Sequence, residues 1–94
     1  MVKEEKRWGE VSRKNPGYPR FWLHTEEKNC LLSWAAVSQI EASEDFLSLQ
    51  FLCEYGLVQL SSTEPMQGLF EAMQMERVWR IDGRLLTCRI TPIE

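Results

Sequence analysis

The chain has 94 residues, of which 44% are hydrophobic, and a net charge of −3. Its length suits one domain with a thin core, since a chain of this size buries only about 60–65% of the surface that its unfolded form exposes. The acidic balance disfavours polyanions as partners of the chain as a whole. The longest low-charge stretch, residues 30–41, is too short to cross a membrane.

The chain begins with a segment that differs from the rest in composition. Residues 1–19 are predicted to form a polar leader rich in Pro and Gly, and residues 20–94 to form a single α+β domain. The sequence NPGYP at residues 15–19 favours turns and blocks regular secondary structure. Trp8 and Tyr18 are unusual in such a leader, and they indicate that it docks on the domain or on a neighbouring molecule.

Two strands are predicted at the start of the domain. Residues 21–25 and 30–34 are rich in aromatic and aliphatic side chains, and they flank a charged turn at residues 26–29. Trp34, Val37 and Ile40 are spaced by three, which breaks the alternation of a strand. We therefore expect a short helical turn or a bulge at Ala35 and Ala36.

The clearest strand pattern lies in residues 46–53. Leu47, Leu49 and Phe51 share one face there at the two-residue period of a strand. A compact loop follows, in which Gly56 can adopt a positive φ, and residues 57–60 are predicted to return antiparallel.

One amphipathic helix is predicted over residues 65–76. Met66, Leu69, Phe70 and Met73 stand at positions i, i+3, i+4 and i+7, so they form a single apolar face. The core is expected where this face meets the apolar face of the preceding strand, and its predicted members are Leu49, Phe51, Leu69 and Phe70.

The C-terminal part of the chain is predicted to form a β-hairpin. Residues 78–81 and 84–88 favour strands, and they flank Asp82-Gly83, a dipeptide typical of two-residue hairpin turns. The alternative is that the helix continues through residue 79. The fold prediction is a small antiparallel sheet of five to six strands with one helix packed on it. This arrangement resembles the pleckstrin-homology-like small domains.

The sequence offers no pattern typical of an enzyme. His24 is the only imidazole, and it lies on the expected outward face of an aromatic strand, where a structural role is favoured. Three widely spaced cysteines are interpreted as small buried hydrophobes, in a cytoplasmic protein with reduced thiols. Glu41 is the best candidate for a buried acid. No glycine-rich phosphate motif and no zinc-ligand spacing occur, so we expect no catalytic residue, cofactor or metal.

Charge is unevenly distributed, and this favours an interaction surface at the two ends. Residues 1–20 carry six basic and three acidic side chains. Residues 21–76 carry one basic and nine acidic side chains, and residues 77–94 carry four basic and two acidic side chains. The candidate interaction residues combine Trp and Arg, the types enriched at interface hot spots. They are Trp8, Trp79, Arg80 and Arg84. The alternative is that the arginines pair with the acidic middle of the chain.

A family resemblance adds a second functional hypothesis. Residues 38–73 contain SQIEASEDFLSLQF, then GLVQLSS, then LFEAM. They resemble the middle of the LytTR-type DNA-binding domains of bacterial regulators, in which a similar strand leads through a hairpin to a short helix. The basic, His-bearing motif that follows the helix in that family has no counterpart in residues 78–81.

The sequence therefore predicts a small bacterial-type, non-enzymatic domain that acts through protein–protein contact and forms a homo-oligomer. The expected self-contact buries about 1,200–2,000 Å². The alternative to self-association is a monomer whose leader folds back over its own sheet. The alternative is a nucleic-acid-binding module, LytTR-like, that uses the basic leader and the C-terminal hairpin. No membrane partner is expected.

Overall fold

The fold of this chain is given by a computed structural model that describes residues 3–12 and 18–93. The turn predicted around residues 15–17 lies outside these ranges. The described part holds one helix, α1 (Gln67–Gln74), and two 3₁₀ turns, Trp34–Ala36 and Gly83–Leu85. It also holds nine strands, which are β1 (Lys3–Lys6), β2 (Gly9–Ser12), β3 (Arg20–His24), β4 (Asn29–Ser33), β5 (Ser38–Ala42), β6 (Ser48–Cys53), β7 (Gly56–Ser61), β8 (Val78–Asp82) and β9 (Thr87–Thr91).

The strands form two sheets. Sheet A has the order β1-β2-β8-β3-β4 and sheet B the order β5-β6-β7-β9. All pairings are antiparallel except that of β3 with β8, which is parallel. The predicted α+β class with antiparallel pairing and one helix is confirmed. The prediction of a single sheet of five to six strands is wrong, because the apolar faces of two sheets cover each other.

The core lies between the two sheets. In sheet A, Phe21 and Leu23 point inward at the two-residue period, and each is fully buried. In sheet B, Phe51 and Val58 are paired across β6 and β7 and are also fully buried. The rings of Phe21 and Phe51 lie 6.3 Å apart between centroids, so the sheets meet directly. Each sheet turns its more apolar face toward the other sheet, and packing removes both of these faces from water.

The chain passes between the sheets at each of its two 3₁₀ turns, and it also does so from β7 to β8 by way of α1. The first, Trp34–Ala36, links β4 in sheet A to β5 in sheet B, and the Ser33 hydroxyl accepts a hydrogen bond from the Ala35 N–H. This turn confirms the helical turn predicted at that point. A separate irregularity follows in β5, whose register shifts between Ser38 and Glu41.

The predicted C-terminal hairpin is wrong, and so is the alternative of a continuous helix. Residues 78–81 are a strand, but β8 belongs to sheet A and β9 to sheet B. Asp82 instead caps the second 3₁₀ turn, since its carboxylate accepts a hydrogen bond from the Arg84 N–H at 3.1 Å. A Cβ at Gly83 would lie 2.7 Å from the carbonyl oxygen of His24. Gly83 therefore serves a close backbone approach rather than a hairpin turn.

The segment predicted as a leader contributes to sheet A. β1 and β2 form a hairpin, and β2 pairs with β8. Gly9 has φ +154°, and a Cβ at this position would overlap the carbonyl oxygen of Arg80. Trp8, in the turn of the hairpin, is 9% exposed and packs in the core.

Helix α1 closes one open side of the two-sheet stack. It is shorter than predicted, and it contacts β5 of sheet B and β8 of sheet A. Met66, Leu69 and Met73 are buried, as the spacing of the apolar residues predicts. Phe70 is only half-buried, with its ring 5.7 Å from that of Phe46. The prediction that Phe70 is a core residue is therefore wrong.

The end of α1 yields a stability prediction. Glu76 has φ +53°; its N–H donates to the Met73 carbonyl, and the Arg77 N–H donates to the Ala72 carbonyl, the pattern of a Schellman motif. A left-handed conformation costs a non-glycine residue about 1 kcal/mol. We expect Glu76→Gly to raise the unfolding free energy by about 1 kcal/mol in urea titration. Glu71→Gly, with the same charge change inside the helix, should lower it by about 1 kcal/mol.

Candidate functional site

The structure separates the four candidate interaction residues. Arg80 and Arg84 converge on Asp82 at the end of β8. The ring of Trp79 lies against that of Tyr18, with centroids 4.5 Å apart. Trp8 is buried in the core and is no part of an exposed patch with the other three.

The outward face of sheet A brings together side chains that are distant in the sequence. The strand register aligns Glu10 of β2 with Arg80 of β8, Arg80 with Trp22 of β3, and Trp22 with Leu31 of β4. We call these four residues the outer row. Their side chains alternate with the buried residues of the same strands, so they face away from the core. Leu31 is 38% exposed, which is high for an aliphatic side chain in a sheet.

A second set of polar residues lies beside the outer row. His24 aligns with Asp82 on one side and with Asn29 on the other. The His24 ring is nearly parallel to that of Trp22, with centroids 6.0 Å apart, and a hydrogen bond of 2.8 Å joins its Nδ1 to Oδ1 of Asn29. His24 thus lies on the outward face, as the alternation of its strand predicts.

The arginines of this face are held by carboxylates. Arg80 Nε lies 2.6 Å from Oε1 of Glu10, and Arg84 binds both oxygens of Asp82 at 2.8 and 2.9 Å. Two guanidinium groups and two carboxylates form this charge cluster, so its formal charge is zero. Their partners are Glu10 and Asp82, rather than the acidic residues of the middle of the chain.

The charge cluster also determines how Asp82 titrates. The hydrogen bonds from Arg84 hold the pKa of the Asp82 carboxyl below its usual value, and Asp82 in turn raises the pKa of Arg84. Asp82 is therefore ionised at neutral pH and cannot act there as a general acid. A lowered pKa in the folded state means that the charged carboxylate stabilises the fold.

This coupling predicts the effect of Asp82→Asn. At pH 7 the variant should lose about 1 kcal/mol of unfolding free energy, because Arg84 is more than half exposed and solvent screens the pair. The stabilisation from Asp82 is complete above its unfolded pKa, near 3.8, and is lost as pH falls through the lower folded value. Urea titrations from pH 7 to pH 2 should therefore show the two proteins converging in acid. Glu44→Gln, at an exposed loop position, should change stability by less than about 0.5 kcal/mol.

The remaining chemical candidates are Glu41 and three cysteines, of which Cys30 lies near both Cys53 and Cys88. Cys30 is buried; Cys53 and Cys88 are half-buried, and burial raises the pKa of both thiols, that of Cys88 to about 11. The prediction that Glu41 is buried is wrong, because its side chain is exposed on the bulged strand β5. Within residues 3–12 and 18–93, no cluster of three or more His, Cys, Asp or Glu side chains could hold a metal ion. No helix in these ranges is long and apolar enough to span a bilayer.

β4 forms one of the two edges of sheet A, and no further strand of the described residues pairs with its outer side. The β3–β4 ladder has a backbone hydrogen bond at each end. At one end the Trp34 N–H donates to the Pro19 carbonyl, and at the other the Thr25 N–H donates to the Lys28 carbonyl. Because antiparallel ladders alternate, the backbone groups of every second residue of β4 point away from β3. The residues concerned are Asn29, Leu31 and Ser33. We call this side of the strand the β4 edge.

One group on the β4 edge already has a partner within the chain. The Ser33 N–H donates to the carboxylate of Glu54, with distances of 3.2 and 3.3 Å to its two oxygens. Glu54 lies in the turn between β6 and β7, and Tyr55 follows it with the Lys28 ammonium 5.5 Å from its ring centroid. The β6–β7 turn therefore lies beside this edge.

The other sheet edges carry features that discourage strand pairing. β5 has a register shift and Gln39 at φ +52°, β9 carries Arg89 and is followed by Pro92, and β1 has the sequence KEEK. β4 has none of these features, since its sequence NCLLS has no charge and no proline. The sequence does contain this signal, but only the strand order shows that β4 lies at an edge.

Comparisons with protein-family models, with curated proteins and with solved structures find no match for this chain.

Proposed function

We propose that this chain is a non-enzymatic protein-interaction domain that self-associates through the β4 edge and the adjoining outer row. The observation that carries the proposal is the β4 edge, a regular, uncharged strand whose outward backbone groups lie beside an exposed Leu31. An exposed strand edge is a template for another strand, because it presents a row of hydrogen-bonding groups.

The composition of the outer row supports a protein partner. Leu31 and Trp22 are its apolar members, and the paired Arg80 and Glu10 follow at the end distant from the β4 edge. Specific interfaces have this organisation, with an apolar centre that holds aromatic residues and a polar rim. A strand added at the β4 edge would therefore meet an apolar surface first.

The nucleic-acid alternative receives less support. Arg80 and Arg84 are engaged by carboxylates, so binding phosphates would require these ion pairs to be broken. We expect no binding tighter than about 10⁻⁵ M at physiological salt, to either duplex or single-stranded oligonucleotides. Fluorescence anisotropy at two salt concentrations measures this affinity, and submicromolar binding that weakens steeply with salt would reverse the order of the two hypotheses. The LytTR-type and pleckstrin-homology-like resemblances stay predictions.

Self-association is measured by the mass of the protein in solution. Light scattering at micromolar concentrations should give the mass of two chains, and Leu31→Arg should reduce it to one, because a charge then stands on the β4 edge. Gln59→Arg is the matched control, since Gln59 is exposed on sheet B, distant from β4, and it should leave the dimer intact. The proposal would be contradicted if the wild-type protein kept the mass of one chain at concentrations up to about 100 times the Kd of a micromolar contact.

A further inference from the structure

We infer that two copies of this chain pair through β4 in antiparallel orientation about a two-fold axis at Leu31. This inference rests on the proposed self-association, and it specifies the partner strand and the register. A two-fold contact is self-complementary, so a single strand must provide both halves of the ladder.

The register follows from which backbone groups face outward. Asn29, Leu31 and Ser33 are the residues of β4 whose N–H and C=O groups point to the free edge. An axis at Leu31 places Leu31 opposite its own copy and Asn29 opposite Ser33, so all three residues of each chain are paired. With an axis at Cys30 or at Leu32, only two of these three residues would find a partner within β4 of the second copy. The ladder with the most hydrogen bonds is therefore the one centred on Leu31.

The outer rows of the two copies would form one continuous surface across this axis. Opposed residues of an antiparallel pair place their side chains on the same face of the sheet. The two Leu31 side chains would therefore meet at the centre, and each is flanked by the Trp22 of its own chain. Such an arrangement covers the Leu31 surface that is exposed in the single chain.

Glu54 is the group that must change partner when the dimer forms. In the single chain its carboxylate accepts the Ser33 N–H, and in the dimer that N–H pairs with the Asn29 carbonyl of the second copy. Lys28 of the second copy directly precedes that Asn29, so it arrives beside the released carboxylate. In the single chain the Lys28 ammonium makes an exposed contact with the Tyr55 ring, which is weak enough to be exchanged. Two Glu54–Lys28 ion pairs between copies result.

Cysteine cross-linking tests the register. Two residues opposed in a hydrogen-bonded pair have Cα atoms about 5.5 Å apart, within the range for a disulfide. Leu31→Cys should therefore form a covalent dimer under mild oxidation, whereas Asn29→Cys alone should not. A mixture of Asn29→Cys and Ser33→Cys chains should form the mixed dimer. The wild-type protein is the control for its own thiols, among which Cys30 is buried.

A charge exchange tests the role of Glu54. Glu54→Lys should raise the dimer dissociation constant roughly fivefold or more, since like charges then face each other across the axis. Adding Lys28→Glu in the same chain should restore the wild-type dissociation constant. Restoration by the double variant is an effect that simple damage to the β6–β7 turn cannot produce.

The outcomes separate this inference from the proposed function. A dimer by light scattering in which Leu31→Cys does not cross-link would overturn the β4 register and leave self-association standing. Cross-linking of Asn29→Cys alone would overturn the Leu31 axis in the same way. A mass of one chain for the wild-type protein would overturn both proposals.

Discussion

Phe51→Ala is expected to remove a large part of the unfolding free energy of this domain. Phe51 is fully buried at the contact between the two sheets, with its ring near that of Phe21. Truncating a buried phenylalanine removes its transfer free energy and leaves a cavity, which together cost about 3–5 kcal/mol. Domains of this size have a net stability of only about 5–10 kcal/mol, so the loss takes up much of the total. Urea titration followed by circular dichroism measures the change.

Phe70→Ala is the matched control for Phe51→Ala. The same atoms are removed, but Phe70 is half-buried at the edge of the helix and its ring contacts Phe46. A loss of about 1–2 kcal/mol is expected, because burial is partial and solvent can fill the space. If Phe51→Ala melted cooperatively within a few degrees of the wild type, the sheet-to-sheet packing described above would be incorrect.

Trp8→Ala is expected to have the second-largest effect on stability. Trp8 is 9% exposed in the turn between β1 and β2, and it packs in the same core as the residues of β8. Its truncation should lower the unfolding free energy by about 3–5 kcal/mol. A residue that acts only in an interface would change the dimer dissociation constant and leave the stability of the single chain unaltered. The two measurements together therefore decide which role Trp8 has.

Trp22→Ala provides the comparison for Trp8. Trp22 stands on the outward face of sheet A, half-buried and beside Leu31. We expect it to cost less than about 1.5 kcal/mol of stability. Under the proposed dimer it should also weaken self-association, because Trp22 flanks the two Leu31 side chains at the axis. Equal stability losses in the two variants would contradict the burial of Trp8.

Local sequence patterns predicted the elements better than their assembly. The alternation of apolar residues in β6 and the i, i+3, i+4, i+7 spacing in α1 both depend on neighbouring residues only. Both elements form inside the predicted ranges, and each is shorter than predicted. Gly56 takes the positive φ expected of it, at +120°. These features were predictable because backbone geometry fixes the period at which side chains face one side.

The candidate site was less predictable, because its residues meet only through strand order. Glu10 and Arg80 are 70 positions apart, and nothing local indicates that β2 lies beside β8. Asp82-Gly83 has the composition of a hairpin turn, yet the Asp82 carboxylate caps a 3₁₀ turn and binds Arg84 instead. The same dipeptide suits two types of turn, and the one it forms depends on which sheet the next strand joins.

The amino-acid pattern thus determined the α+β class, the positions of most strands and the helix, because each depends on residues within a few positions of one another. Tertiary packing decided that there are two sheets rather than one, that Trp8 is buried and Phe70 only half-buried, and that β4 lies at a free edge. The physical reason is that alternation specifies which face of a strand is apolar, but not which other face will cover it. That choice is made by the total apolar surface that the packed sheets remove from water, a property of the whole chain.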